Sequence, residues 1–132
     1  MTKSKRINLS SGAKWEDIVG YSRAVKIGNI IEVSGTTAVD EHNKLQGIDD
    51  PYEQTKFIIL KAEKALMKLG SSLKDVIRTR IYTTDISKWE EIGKAHGEYF
   101  RSIKPAATMV EVSNLIDKNI LVEIEFSAIL SR

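Results

Sequence analysis

Apolar and polar residues alternate along much of the chain, the pattern of β-strands with one buried face. The pair Gly28-Asn29 interrupts the first alternating stretch in the way a two-residue hairpin turn does. Gly35 follows on the return strand, where a glycine often marks a bulge or a close approach of another group. The alternation predicts β-structure over 18–39, 76–84, 107–112 and 120–129.

A helix is predicted between the second and third strands. Asp50 can cap it, Pro51 suits its first turn, and Glu53 completes a capping box. Gly70 is placed to end it. One face is apolar at helical spacing, with Ile58, Ala62, Ala65, Leu66 and Leu69.

A second helix is predicted after the third strand. Ser87 and Glu90 form another capping box, and Lys104-Pro105 ends the helix. Its apolar stripe consists of Trp89, Ile92, His96, Tyr99 and Phe100. We interpret His96 as a packing residue, with catalytic base as the alternative.

The element order β-β-α-β-α-β-β predicts an α/β (α+β) fold, a mixed sheet with two helices on one face. Each helix has a single apolar stripe, so the sheet's second face stays uncovered. Four residues are assigned to that second face: Val25, Ile27, Tyr82 and Met109. A partly apolar free face favours a closed, symmetric assembly.

Composition narrows the class of protein. The 132 residues fit one domain, 1–132, in which 1–14 is expected to be a partly ordered tail. The absence of cysteine excludes disulfides and thiolate chemistry and fits a cytoplasmic location. A net charge of +2 is too small to indicate a nucleic-acid partner. The sequence shows neither an 18-residue apolar stretch nor a signal sequence, so no membrane partner is expected. With two histidines, no metal site or other cofactor is expected.

Several segments, in order and spacing, resemble the Rid (YjgF) family, also called the endoribonuclease L-PSP family. The resemblance begins near residue 15 and reaches the C-terminus. The matching segments are Gly20-Tyr21, 28–35, 75–79, 81–85, 105–112 and 122–125.

The resemblance implies a chorismate-mutase-like sandwich assembled as a homotrimeric barrel, with clefts between subunits that take a small molecule such as an imino or keto acid. It implies hydrolysis of enamines or imines, in which an arginine binds the substrate carboxylate and a glutamate positions water. Glu123 matches the glutamate; the alternative is a half-exposed strand glutamate or a partner in a structural salt bridge. Tyr21, Ser34 and Gly35 match residues that line the cleft; the alternative is a core tyrosine and an ordinary bulge.

The chain departs from the family at the arginine, because Ala107 stands in its place. Losing one member of a buried charge pair costs about 2–5 kcal/mol. Arg23 and Arg80 are candidate replacement anchors for an anion; the alternative is that they pair with Glu32, Glu111 or Glu125.

Met109 and Glu111 share strand parity with Ala107, so they are expected to line the same cleft, which would be wider and less cationic than in relatives. Gly93 also departs from the asparagine common in the family.

Two functions therefore stay open: a hydrolase of the imine or enamine deaminase type with altered anchoring, and a non-catalytic, small-molecule-binding or regulatory trimer. A ribonuclease, which the older family name implies, is disfavoured because basic and acidic residues are interspersed along the chain.

Overall fold

The computed structural model describes residues 5–131, which form one six-stranded sheet and three helices. The strands are β1 (Arg6–Leu9), β2 (Ala24–Ile27), β3 (Ile30–Thr36), β4 (Val76–Thr83), β5 (Ala106–Glu111) and β6 (Val122–Ile129). The helices are α1 (Lys14–Val19), α2 (Pro51–Lys68) and α3 (Trp89–Phe100), with short 3₁₀ turns at Leu73–Asp75 and Ile86–Lys88.

The sheet has the order β1-β2-β3-β6-β4-β5. Strands β4 and β5 run parallel and the other neighbours antiparallel, so the predicted mixed sheet is confirmed. The parallel pair follows from α3, which carries the chain back across the sheet between these two strands. Strands β1 and β5 are the two edges of the sheet.

The local signals for the first hairpin and for α2 are confirmed, except that the predicted capping box does not form. Gly28 has a φ of 59° in the turn that pairs Ile27 with Ile30. The Asp50 side chain caps α2 by accepting a hydrogen bond from the Glu53 N–H at 3.1 Å. The Asp50 N–H donates to the Gly47 carbonyl instead of closing a capping box with Glu53.

The N-terminal segment, expected to be a partly ordered tail over 1–14, contains a strand and leads into a helix. Residues 6–9 form β1, which pairs with β2, and residues 14–19 form α1. The prediction of strand at Ile18 was therefore wrong, because the chain is still helical there. A buried carboxylate stabilises this turn, since Glu16 accepts hydrogen bonds from the backbone and hydroxyl of Ser11. Residues 1–4 of the expected tail lie outside the described residues.

The start of α3 also differs from prediction. Asp85 caps the 3₁₀ turn Ile86–Lys88 that leads into α3, accepting hydrogen bonds from the Ser87 N–H at 3.0 Å and from its hydroxyl at 2.6 Å. Helix α3 itself begins without a side-chain cap, so the predicted Ser87–Glu90 capping box was wrong. Trp89 is 56% exposed and does not belong to the buried stripe. Within α3, the buried residues are Ile92, Ala95 and Phe100.

The core lies between one face of the sheet and helices α2 and α3. Helix α2 packs against β3, β6 and α3, and the Phe100 ring of α3 lies 6.5 Å from the Phe126 ring of β6. The fully buried side chains of this layer include Ile31, Ile58, Ile59, Leu66, Ile92, Val122, Ile124 and Phe126.

We call the opposite surface of the sheet the free face. It carries Val25, Ile27, Ile30, Glu32, Arg78, Arg80, Tyr82, Glu123, Glu125, Ser127 and Ile129. One residue assigned to this face from the sequence does not lie on it: Met109 pairs with buried Ile81 and packs on the core side. On β4, Ile77 is exposed because the β4–β6 register shifts between Val76 and Arg78.

Among residues 5–131, no helix is both long enough and apolar enough to cross a lipid bilayer.

Candidate ligand site

Glu123 lies directly against the backbone of Gly35. The β3–β6 register shifts between Val33 and Thr36, and Gly35 occupies this irregularity. A Cβ atom at residue 35 would overlap the Glu123 Oε2 atom and would lie 3.1 Å from its Cδ. Glycine is therefore needed here to leave room for the carboxylate, which is the close approach that the sequence indicated.

Arg23 holds the other side of the same bulge. Its Nη2 atom donates a 2.7 Å hydrogen bond to the Gly35 carbonyl. The Ser34 N–H donates to the Arg23 carbonyl at 3.0 Å. The residue before β2 is therefore hydrogen-bonded to the end of β3 through both its backbone and its side chain. These contacts bring together Arg23, Gly35 and Glu123, three of the residues that sequence reasoning selected.

The environment of Glu123 raises the pKa of its carboxyl group. Burial raises the pKa of Glu123 above its usual value, Arg23 lowers it in part, and Glu125 raises it further. Carboxyl groups whose pKa is raised toward neutrality are suited to accept and return protons during a reaction.

An open cavity of about 540 Å³, which we call the β1–β2 cavity, is lined in part by Ser22 and Ser34, the chain neighbours of Arg23 and Gly35, but not by the three residues of this cluster themselves. Tyr21, 39% exposed, gives it an aromatic wall. The Ser34 hydroxyl donates to the Ser22 carbonyl at 2.6 Å, which leaves the hydroxyl oxygen as an acceptor. The remaining lining residues are Arg6, Asn8, Glu16, Asp17, Gly20, Ser22 and Val25.

Ala107, Met109 and Glu111 share one face of β5, as predicted, but this is the helix side of the sheet. They pair in register with Thr79, Ile81 and Thr83, which are all buried on the core side. The Glu111 carboxylate accepts a 3.0 Å hydrogen bond from the Ile86 N–H. Within one subunit, these residues and Glu123 therefore lie on opposite faces.

Arg80 is exposed on the free face, in register with Glu125 and Thr108. The glutamates considered as its partners are bound elsewhere. Glu32 accepts a hydrogen bond from the Ser127 hydroxyl at 2.6 Å, and Glu125 accepts one from the Tyr82 hydroxyl at 2.9 Å. In the described part of the chain, the one ion pair within 4 Å joins His42 and Glu41.

His96 is a packing residue in this structure. Its Nε2 lies 3.0 Å from the Thr79 hydroxyl, its ring lies 4.7 Å from that of Phe100, and burial lowers its pKa. No three His, Asp or Glu side chains between residues 5 and 131 come together as a metal site.

Sequence reasoning missed the contribution of the N-terminal segment to the cavity. Arg6 and Asn8 come from β1, while Glu16 and Asp17 come from α1. The alternation of Arg6-Ile7-Asn8-Leu9 is the signal that indicates the strand, although four residues are few for a periodicity.

Comparison with known proteins agrees with this architecture. A 3-aminoacrylate deaminase, RutC, of Acinetobacter baylyi is 34% identical over 120 residues, covering 91% of this chain and 94% of the relative. A Streptomyces coelicolor protein is 38% identical over 128 residues, covering 97% and 95%.

Solved structures give the same result. A Mycobacterium tuberculosis member of the YjgF/YER057c/UK114 family superposes with a TM-score of 0.87 at 45% identity, covering 96% of this chain and all of that one. A Rid family protein of Yersinia pestis gives 0.84 at 26% identity, covering 96% and 100%. The profile of the endoribonuclease L-PSP family matches residues 12–130. The chain belongs to that family, the YjgF/Rid family.

Proposed function

We propose that the protein binds small imino or keto acids in clefts between the subunits of a homotrimer and hydrolyses the C=N bond of an imine, with Glu123 as the proton acceptor. The observation that carries the proposal is the Glu123 carboxylate, seated over Gly35 with a raised pKa and with Arg23 nearby. The similarity to a 3-aminoacrylate deaminase supports the same class of substrate.

The placement of residues on the sheet supports a cleft shared by two subunits. Glu123 lies on the free face, whereas Ala107 lies on the helix side of β5. A cleft that contains both residues requires two copies of the chain. Strand β5 is an edge of the sheet, and Ala107 is exposed there. A neighbouring subunit can therefore reach Ala107 without unfolding either chain.

The proposed reaction uses one water molecule. The Glu123 carboxylate accepts the first water proton as the water oxygen bonds to the imine carbon, and this proton passes to the nitrogen as the C=N electron pair moves there, which gives a neutral carbinolamine. The carboxylate then accepts the proton of the carbinolamine hydroxyl and passes it to the nitrogen as the C–N bond breaks, so the products are ammonia and the C=O group of a keto acid. An enamine enters the same route after protonation of its carbon to the imine tautomer.

A second function, non-catalytic binding, is favoured by one observation, the alanine at position 107. Without a guanidinium on β5, this strand contributes no cation to hold a substrate carboxylate during the reaction. In this case, ligands would raise the unfolding temperature of the trimer without being turned over.

Ammonia release from freshly generated 2-aminoacrylate and 3-aminoacrylate tests the proposal. We expect wild-type protein to accelerate release above the buffer rate and Glu123→Gln to lower the rate by about 10²–10⁴-fold. The matched control is Glu41→Gln, which makes the same change at a residue whose side chain is 87% exposed. Its rate should equal that of wild type.

The pH profile provides a second readout. Because the active form is the carboxylate and burial raises its pKa, the rate should fall as pH decreases through that raised pKa. If wild-type protein accelerates ammonia release from neither substrate, the proposed hydrolysis is rejected and non-catalytic binding is the function that is retained. Equal rates for wild type and Glu123→Gln would overturn the role of Glu123.

A further inference from the structure

The β1–β2 cavity contains one cation that no family motif assigns. Arg6 on β1 lines it together with Tyr21 and Ser34, two of the three residues that match the family's cleft; the third, Gly35, does not line it. The other charged lining residues are the carboxylates of Glu16 and Asp17. Among the residues described, Arg6 is therefore the cavity's cationic group.

The guanidinium of Arg6 is held in place by a short hydrogen-bond relay. Its Nε atom donates to Asn8 Oδ1 at 3.1 Å, and Asn8 Nδ2 donates to the Ser22 hydroxyl at 2.9 Å. Both Asn8 and Ser22 also line the cavity. The relay fixes Nε and leaves the two terminal NH₂ groups for another acceptor. A guanidinium oriented in this way is suited to a carboxylate, which it binds through two parallel hydrogen bonds.

The other candidate cations are less available at this cavity. Arg23 already uses Nη2 on the Gly35 carbonyl, and its Nε atom is buried. Arg80 lies on β4, across the sheet from β1 and β2, and does not line the cavity. Ala107 carries no charge. Arg6 lines the same cavity as Tyr21 and Ser34 and brings to it a positive charge that β5 lacks.

We infer that Arg6 is the carboxylate-binding residue of this protein's ligand site and that Asn8 is its positioning residue. The inference rests on the proposed function for the identity of the site, and it assigns the ligand class as a small monocarboxylate. Strand β1, an edge strand before the family's shared motifs, then determines specificity.

Equilibrium binding of pyruvate and of pyruvamide tests the inference, because the two probes differ in the carboxylate. Wild type should bind pyruvate more tightly. Arg6→Gln should weaken pyruvate binding about tenfold, the smaller end of the range for hydrogen bonds to charged groups because Arg6 is exposed, and should leave pyruvamide binding unchanged. Unchanged pyruvamide affinity also shows that the variant is folded.

Two further variants separate charge from geometry. Lys5→Gln is the matched control, since it removes one exposed positive charge next to Arg6 outside the cavity, and it should bind both probes as wild type does. Asn8→Ala keeps the charge but removes the relay, so it should weaken pyruvate binding while sparing pyruvamide. Arg6→Lys should restore part of the affinity as a point charge without the fork.

Equal pyruvate affinities for wild type and Arg6→Gln would overturn the inference, whatever the hydrolysis assay shows. A loss of affinity shared equally by Lys5→Gln would also overturn it, because the effect would then be one of general charge. Arg6-dependent pyruvate binding with no hydrolysis by wild type would support Arg6 as the anchor and reject catalysis.

Discussion

The absence of a Cβ atom at Gly35 determines where the Glu123 carboxyl group lies and how deeply it is buried. The carboxylate occupies the volume that any larger residue at position 35 would need. Burial in this place raises the pKa of Glu123. Because the clash falls on the far end of a flexible side chain, an added methyl group would move the carboxylate rather than unfold the strand.

The substitution Gly35→Ala tests this relation. It should displace the Glu123 carboxylate toward solvent and lower its pKa toward the ordinary value, since desolvation is the main cause of the shift. Titration of the Glu123 side-chain carboxyl carbon by ¹³C NMR measures the change directly. The control is Gly93→Ala in α3, where an added Cβ meets nothing within 4 Å.

The control should leave the Glu123 titration unchanged and should stabilise α3 by about 0.5–1 kcal/mol, the usual gain when alanine replaces a helical glycine. An unchanged titration in Gly35→Ala would contradict the account of the bulge.

At the scale of elements, the sequence predicted those with a strong local signal and missed those stabilised by contacts between distant residues. Helix α2 has its cap at Asp50, a proline in its first turn and Gly70 at its end, all of which act within a few residues. Helix α1 has only six residues. It is stabilised by a hydrogen bond from the Ser11 hydroxyl to the buried carboxylate of Glu16, a contact that the periodicity of the sequence does not reveal.

The candidate site was predictable to a similar extent. Arg23, Gly35 and Glu123 meet because of a bulge whose glycine is visible in the sequence. The contribution of Arg6 was missed because it depends on the pairing of β1 with β2. The core-side orientation of Ala107, Met109 and Glu111 on β5 was missed as well. Alternation within one strand shows which residues share a face, but not which face of the sheet that is.

The start of α3 gives a test at this scale. Asp85→Ala removes the side chain that accepts two hydrogen bonds from Ser87, and should lower the free energy of unfolding by about 1 kcal/mol. Urea denaturation measures the loss. Glu90→Ala is the control. It should change stability by less than about 0.5 kcal/mol, because the Asp85 cap belongs to the 3₁₀ turn that leads into α3 and no Ser87–Glu90 capping box forms at the helix itself. A larger loss in Glu90→Ala than in Asp85→Ala would reverse this assignment.

At the scale of the whole molecule, the free face carries a row of isoleucines that no described residue covers. Ile27, Ile30 and Ile129 are direct cross-strand neighbours on β2, β3 and β6, and are 43%, 54% and 40% exposed. Burying what remains exposed of each side chain would contribute about 1 kcal/mol. The proposed homotrimer buries this row at the centre of the assembly and places Glu123 of one subunit near β5 of the next.

The proposed cleft needs two subunits, so the oligomeric state of the protein is the property to measure first. Sedimentation equilibrium of the wild-type protein at micromolar concentration measures it directly. We predict a single species with three times the 14.8 kDa mass of the chain. A folded species with the mass of one chain, stable on dilution and still able to bind pyruvate, would contradict the account.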